Sequence, residues 1–386
     1  MSSTQDLYEN NNPTLFSQAC DVGTGKFEPH VHRNKALSVS NTCDNPLRKN
    51  MPTCKDPELD LFIKEVGGLQ FDVGLKSIGN NFPSYIPILD KETAQLSYLA
   101  VPSGIDVLGM TLSDVISRGI TYSAGTQHEQ DEIEFRLGLL LGNAIRGKKI
   151  ILFASGSDTL IEWLWYNRNE CELFQNLKAM GFSYATGINF SVIKGECGIG
   201  QALNQKKSLV SSGLMSQIGM PSIPHIYTID SYDVDRWIEY LSKNPQIRTV
   251  SMNCQLQKRT DDIEAIILGV TQILQRLPYL HIILVGFHLN LMHRFGPLLE
   301  QIHFADKKPA KFAQSHRKFI INPETLKMRD VYSSDRVTDI LAHNINQRRI
   351  YVEIIRKTTL QKYKIPDEII HLIESNFLYR SFSRYI

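Results

Sequence analysis

No stretch of the 386 residues approaches the roughly 20 consecutive apolar side chains that span a bilayer. The opening residues, MSSTQDLYENNN, lack the basic-then-apolar order of a secretory signal. Cysteine is sparse and unpaired in spacing, with six residues at 20, 43, 54, 171, 197 and 254, so reduced thiols are expected and a disulfide framework is not. These absences point to a soluble, cytoplasmic protein with no membrane partner. Charge of one sign is also lacking: the net value of +2 excludes a uniformly basic nucleic-acid coat, though not a local basic patch. The patterns GxxxxGK[ST], HExxH and CxxxCxxC do not occur, which removes P-loop, zincin and common radical chemistry. No Gly-rich first turn marks a dinucleotide-binding half, and no internal repeat suggests a solenoid.

What the chain has instead is a series of short apolar runs, each ending in polar or ionisable residues. They are IILFASGSD (150–158), YATGINFS (184–191), IPHIYTID (223–230), TVSMNCQ (249–255), HIILVGFH (281–288) and QIHFAD (301–306). YIPILD (85–90) and SYLAVPSGID (97–106) are two further strand candidates. Between them the apolar spacing predicts helices over 111–118, 128–146, 159–180, 198–218, 232–244, 260–277 and 290–299. In DSYDVDRWIEYLSKN, for instance, Asp230 or Ser231 caps a helix whose Val234, Trp237, Ile238 and Leu241 share one face. Fully apolar strands alternating with amphipathic helices form parallel sheets covered on the outside, and eight such units favour an α/β fold of the (β/α)8 TIM type, an incomplete ring of six or seven strands being the alternative. On texture the chain divides into an irregular N-terminal arm (1–68), the barrel (69–321) and a basic, helical C-terminal extension (322–386).

Parallel barrels place their chemistry at the carboxyl ends of the strands. Those ends carry Ser155, Asp158, Asn189, Asp230, Asn253, His288 and Asp306. ASGSD lacks the G-x-S-x-G spacing of a nucleophile elbow, and GECGIGQ lacks the glycine order of a phosphate loop. Cys20, His30, His32, Cys43 and Cys54 in the arm could supply zinc ligands, but the usual C-x2–4-C pairing is absent, and no cofactor is assigned.

Four consecutive strand ends, IYTIDS (226–231), TVSMNCQLQKR (249–259), LHIILVGFHLN (280–290) and QIHFADKKPAKFA (301–313), resemble the second half of the tRNA-guanine transglycosylase barrel. The resemblance aligns VGFH with the family's glycine turn at Gly286, and FADKKPAKFA with its nucleophile strand at Asp306, Pro309 and Lys311. Upstream, Ser155 and Gly156 fall on the family's Ser-Gly. The chain departs from the family at Ala154, where an aspartate is usual, and in lacking the CxCxxC zinc motif, which makes it look closer to the relatives that insert 7-deazaguanines into DNA. The resemblance implies nucleobase exchange on DNA or tRNA with a modified purine as second substrate. It implies Asp306 as nucleophile at C1′ and Asp158 or Asp230 as acid and base, with Asn189 and Asn253 on the base edge, backbone approaching the base's face at Gly286, and His288 in the substrate site. Tyr227, Phe287 or His288 would stack an unpaired base. On their own, these same residues also read as strand and helix caps.

Between 307 and 349 there are ten Lys/Arg against four Asp/Glu. Lys307, Lys308, Lys311, Arg317 and Lys318 are therefore expected to anchor a nucleic-acid backbone, with a solvated basic face as the plain alternative. Two other functions fit the same residues: a hydrolase or lyase acting on a small molecule through Asp158, Asp230 and His288, or a catalytically silent barrel that binds nucleic acid. Oligomeric state is not legible in the sequence.

Overall fold

The computed structural model describes residues 59–90, 93, 101–102, 104–116, 147–192, 198–255, 257, 259–322 and 325–363. Residues 1–58 of the predicted arm (1–68), with its Cys and His residues, the predicted helix over 128–146 and residues 364–386 of the predicted extension lie outside them.

Eight short strands alternate with helices: β1 (Tyr85–Leu89), β2 (Val107–Thr111), β3 (Lys149–Phe153), β4 (Tyr184–Thr186), β5 (Ser222–Ile223), β6 (Thr249–Asn253), β7 (His281–Val285) and β8 (Ile302–Asp306). They pair in parallel in the order β5-β4-β3-β2-β1-β8-β7-β6. The remaining gap is closed by a parallel bridge between His225 and Ser251, where Ile226 N donates to Ser251 O and Ser251 N to Pro224 O, each at 2.8 Å. Pro221 and Pro224 flank β5 and offer no N–H, which keeps that ladder short. The result is a closed (β/α)8 barrel.

Side chains alternate across each strand. Ile86, Ile88, Val107, Ile151, Phe153, Ile223, Ile283, Val285 and Ala305 fill the interior, and Ile78 and Phe82, just before β1, plug its N-terminal end. The outward rows pack into two helix-covered cores, one over β2 to β4 and one over β5 to β8 and β1. Gly109 sits in β2 because a Cβ there would lie 2.5 Å from the Phe153 ring and 2.9 Å from Ile88.

The helices follow the expected spacing with two breaks. The predicted helix over 159–180 is two helices, α3 (Asp158–Tyr166) and α4 (Leu173–Ala179), separated at Glu172, whose φ of 44° is left-handed. The 290–299 segment is a 3-10 run (Leu289–Gln301) kinked at Gly296 before Pro297. Further helices are α1 (Leu59–Glu65), α2 (Leu112–Val115), α5 (Gly198–Gln217), α6 (Ser231–Lys243), α7 (Thr260–Arg276) and α8 (Lys308–Gln314). In α6, Val234, Trp237, Ile238 and Leu241 are buried as their spacing predicts, each burial being worth about 1.5–3 kcal/mol. α5 is buried nearly all round, and its Lys207 lies between Glu162 (2.9 Å) and the Phe190 ring.

The strand predicted over 97–106 lies instead at 107–111. Pro102 and Gly104 favour a turn, and Ile105 N closes it on Pro102 O at 3.0 Å. The C-terminal region is also more than helical. A hairpin, β9 (Arg317–Ile321) with β10 (Met328–Tyr332), crosses position 321. The long helix α9 (Val337–Tyr363) then packs against β1, α8 and the hairpin, in the place of the barrel's eighth helix. Buried Asn344 clamps hairpin to helix: it accepts from Phe319 N (2.8 Å) and donates to Arg317 O (2.8 Å). No described helix is long and apolar enough to cross a membrane.

Candidate functional site at the barrel mouth

The interior row of β2 ends in Thr111, and Asp114 follows one turn later at the N-terminus of α2. Asp114 accepts a bond from Thr111 N (3.2 Å) and another from Thr111 Oγ1, forming a capping box. Lys307, the residue after β8, donates to Thr111 Oγ1 (2.9 Å) and to Asp114 Oδ2 (2.5 Å). The ammonium is 29% exposed and its carboxylate partner 12%, so the pair faces the opening without being lost to solvent. Ser113 continues the polar arc, 3.1 Å from Thr111 Oγ1, and its N–H meets Ser155 O at 3.4 Å. Asp158, at the start of α3, accepts from Ser191 Oγ at 2.6 Å. Strand ends β8, β2, β3 and β4 thus contribute one amine, two carboxylates and several hydroxyls to the same rim.

The opposite wall is drier. His225 hydrogen-bonds Ser251 Oγ at 3.2 Å, and burial pulls its imidazole down to about 3, so it is neutral. Tyr227 is buried, with its hydroxyl on Phe190 O (3.1 Å) and its acidity suppressed by that burial. Asn253 Oδ1 accepts from Gln255 N (3.0 Å). Gly286 ends β7 with φ 77° and passes so close to Gln255 that a Cβ would lie 2.4 Å from its Cγ.

At the other end of the barrel, His303 bonds Pro83 O (3.0 Å) and His281 (3.1 Å), and Asn80 Nδ2 lies 3.0 Å from His281 Nε2. Burial brings His303 down to about 3. With Asn80 donating to His281, His281 to His303 and His303 to the Pro83 carbonyl, every ring nitrogen is satisfied with both rings neutral, so this pair seals the floor. Among the described residues no group of three or more His, Cys, Asp or Glu is placed to hold a metal ion. Cys171 and Cys254 are buried free thiols.

Of the residues expected to act in base exchange, Asp306, Asp230 and Phe287 are not gathered at the mouth. Asp306 belongs to the outward row of β8 with Ile302 and Phe304, because a strand residue two positions on returns to the same side. It is 3% exposed, ion-paired with Arg348 of α9, 3.4 Å from the Tyr85 hydroxyl and bonded by Lys308 N at 2.9 Å. The Tyr85 phenol is held well above its usual range, first by burial and then by the Asp306 charge. A carboxylate in that setting is a structural anchor. Asp230 is the exposed N-cap of α6, accepting from Asp233 N at 2.9 Å. Phe287 packs outward on Phe295 and Phe304. His288 is half-buried, and its imidazole is lowered by burial and by the nearby Lys308 cation. Ser155, Gly156, Asp158 and Asn189 do lie along the β3 and β4 ends, Asn189 N bonding Ala154 O at 2.9 Å.

The basic stretch divides as well. Lys307 turns into the mouth, Arg317 pairs with Asp330 and Lys318 with Asp335, while Lys308 and Lys311 are exposed and have no acidic partner among the described residues. Sequence reasoning missed Thr111, Asp114 and His225 as interior groups and did not foresee that Lys307 turns inward. Alternation along QIHFAD was the available signal: bulky Ile302 and Phe304 face the helices, so Asp306 follows them and Lys307 does not.

No family model and no curated protein matches the chain. Among solved structures, a protein of Burkholderia cenocepacia J2315 assigned provisionally as a lyase/mutase is similar at 14% identity and a TM-score of 0.33, over 61% of this chain and 82% of the other. A Coccidioides immitis protein assigned provisionally to the dihydrodipicolinate synthase family is similar at 11% identity and a TM-score of 0.34, over 74% and 77%. Both are distant, and the chemistry of the mouth is read from its own residues.

Proposed function

We propose that this chain is a barrel enzyme of the lyase type, acting at the C-terminal mouth on a small carbonyl compound through Lys307 and Asp114. The observation that carries the reading is the amine of Lys307, turned into the mouth and held within hydrogen-bond reach of a carboxylate and a hydroxyl. A primary amine is the group that adds to a carbonyl to form an imine, once its extra proton has a group to go to. Lys307 passes a proton to Asp114, and its nitrogen adds to the carbonyl carbon. The carbonyl oxygen takes up the proton the adding nitrogen gives up and the one held by Asp114 and leaves as water, and the iminium draws the electron pair of a neighbouring C–H or C–C bond toward itself. Asp158, bonded by Ser191, is the second carboxylate on the rim and receives the proton released from carbon. Thr111 and Ser113 orient the substrate's remaining oxygens.

Base exchange on a nucleic acid loses its nucleophile in this reading, since Asp306 faces α9 and not the mouth. The test is borohydride trapping against a panel of small oxo acids and aldehydes, read as a mass increase on the peptide containing Lys307. Trapping is expected in the native chain and in Asp230→Asn, and absent in Lys307→Met. Turnover of any carbonyl substrate that survives Lys307→Met would sink the proposal.

A further inference from the structure

On the outward side of β8, the 3-10 segment, α8, the β9–β10 hairpin and α9 line a half-open cavity of about 730 Å³. That size lies within the roughly 300–1,000 Å³ of small-molecule pockets. Five cations line it, Lys308, Lys327, Arg329, Arg348 and Lys362, against the single acid Asp330. The acid is already engaged by Arg317, and Arg348 is engaged by Asp306. Lys327, Arg329 and Lys362 form no ion pair with an acid among the described residues, and Lys308 feels the Asp306 charge without pairing to it. These four come from α8, from β10 and the turn before it, and from α9, so the fold itself brings them together.

Gathering like charges around a concavity costs free energy unless an anion occupies it. A second observation points the same way. Arg348 is 5% exposed, and its Nε has no hydrogen-bond partner although it is buried in the cavity wall. A buried guanidinium N–H without an acceptor is unusual, and a bound oxyanion would supply one. The crowding is also felt by Lys308: the residue is exposed as a whole, but its ammonium is lowered by partial desolvation and then by the Arg348 charge, with Asp306 pulling the other way. The wall is not polar throughout: Phe312, Phe319 and Tyr351 line it, with the first two rings 4.8 Å apart. Rings beside a cationic end suit a ligand with a flat apolar part and an anionic group.

We infer that this cavity binds a phosphorylated small molecule carrying at least two negative charges and a ring, at a site distinct from the barrel mouth. Phosphoryl oxygens match the mixture of forked guanidinium and point-like ammonium donors better than a single carboxylate does. A volume of that size favours a compact ligand over a strand.

ADP is the probe, titrated calorimetrically into the full chain at low salt. One saturable site is expected, with adenosine failing to compete. Arg329→Ala and Lys327→Ala, both exposed and so harmless to folding, are each expected to weaken ADP about tenfold or more, the value of one charged hydrogen bond. Lys318→Ala, a hairpin cation outside the cavity and paired with Asp335, leaves the affinity unchanged. No saturable binding, equal competition by adenosine, or full affinity in both cavity variants overturns the inference. Affinity lost in Lys307→Met but kept in Arg329→Ala would place ADP in the mouth and overturn it too. A single-stranded oligonucleotide binding more than tenfold tighter than ADP would make the cavity part of a strand-binding surface, against the small-molecule reading.

Discussion

Asp306 and Lys307 are joined by one peptide bond, yet they serve opposite sides of the barrel wall. Lys307 turns into the mouth, where its charge is balanced by Asp114 and its neighbours are hydroxyls. Asp306 turns out and locks α9 through Arg348, and beyond that pair lies a cavity in which cations outnumber acids. The mouth is close to electroneutral and partly exposed, which suits groups that exchange protons with a substrate. The outer cleft is anchored by a buried ion pair and carries surplus positive charge, which suits a ligand held and not transformed. In a strand, one step along the chain decides which of these a residue becomes.

The comparison breaks most directly at Arg348. Removing one member of a buried ion pair leaves the other charged and unsatisfied, which costs about 3–5 kcal/mol. Arg348→Met should therefore lower the urea stability of the chain by that amount. Replacing both partners, Asp306→Leu with Arg348→Met, should return most of it, because the desolvation penalty disappears with the charges. A loss below about 1 kcal/mol for the single change would mean that the pair is solvated and that Asp306 is free for other work.

The interior histidines give a second, pH-dependent contrast. His225 and His303 are neutral in the fold, each brought from 6.5 to about 3 by burial, while in the unfolded chain they take up protons near 6.5. Their contribution is whole above that value and is lost as the pH falls from there toward 3. At pH 5 the loss is about 2 kcal/mol for each. Chemical denaturation at pH 7 and pH 5 should show the drop, and His225→Gln should remove roughly half of it. Stability that stayed pH-independent between 7 and 5 would mean that the interior is wet.

Much of the barrel was legible because burial on both faces leaves a plain mark, as in HIILV and KIILF, and because α6 shows its apolar stripe openly. The β2 strand was misplaced because Gly109 weakens an apolar run, and only the Phe153 ring opposite explains why glycine is needed there. The site was read less well. Polar residues at strand ends were found, but which of them face inward depends on register, and a one-residue shift moves a side chain to the other face. Arg348, 42 residues beyond Asp306, is what turns that carboxylate into an anchor, and no local pattern announces a partner so far along the chain.

Gly286 tests the backbone between the two sides. Its φ of 77° and its approach to Gln255 leave no room for a side chain. Gly286→Ala should cost about 1–2 kcal/mol from the left-handed conformation alone. A substitution that proved neutral would show that the turn after β7 relaxes and does not hold Asn253 and Gln255 in register.

The smallest effect on stability belongs to Lys307, and it is the most informative. A partly exposed ion pair contributes about 0–1 kcal/mol, so Lys307→Met should unfold within that margin of the native chain. Its neighbour Asp306, changed to Asn, should cost several times more while leaving the amine in the mouth untouched. Activity should divide the other way, abolished by Lys307→Met and retained, in the folded fraction, by Asp306→Asn. Two adjacent residues would then separate stability from chemistry. If instead Asp306→Asn were stable and inactive, the carboxylate would have to reach a substrate from the outer face, and the mouth would lose its claim to the reaction.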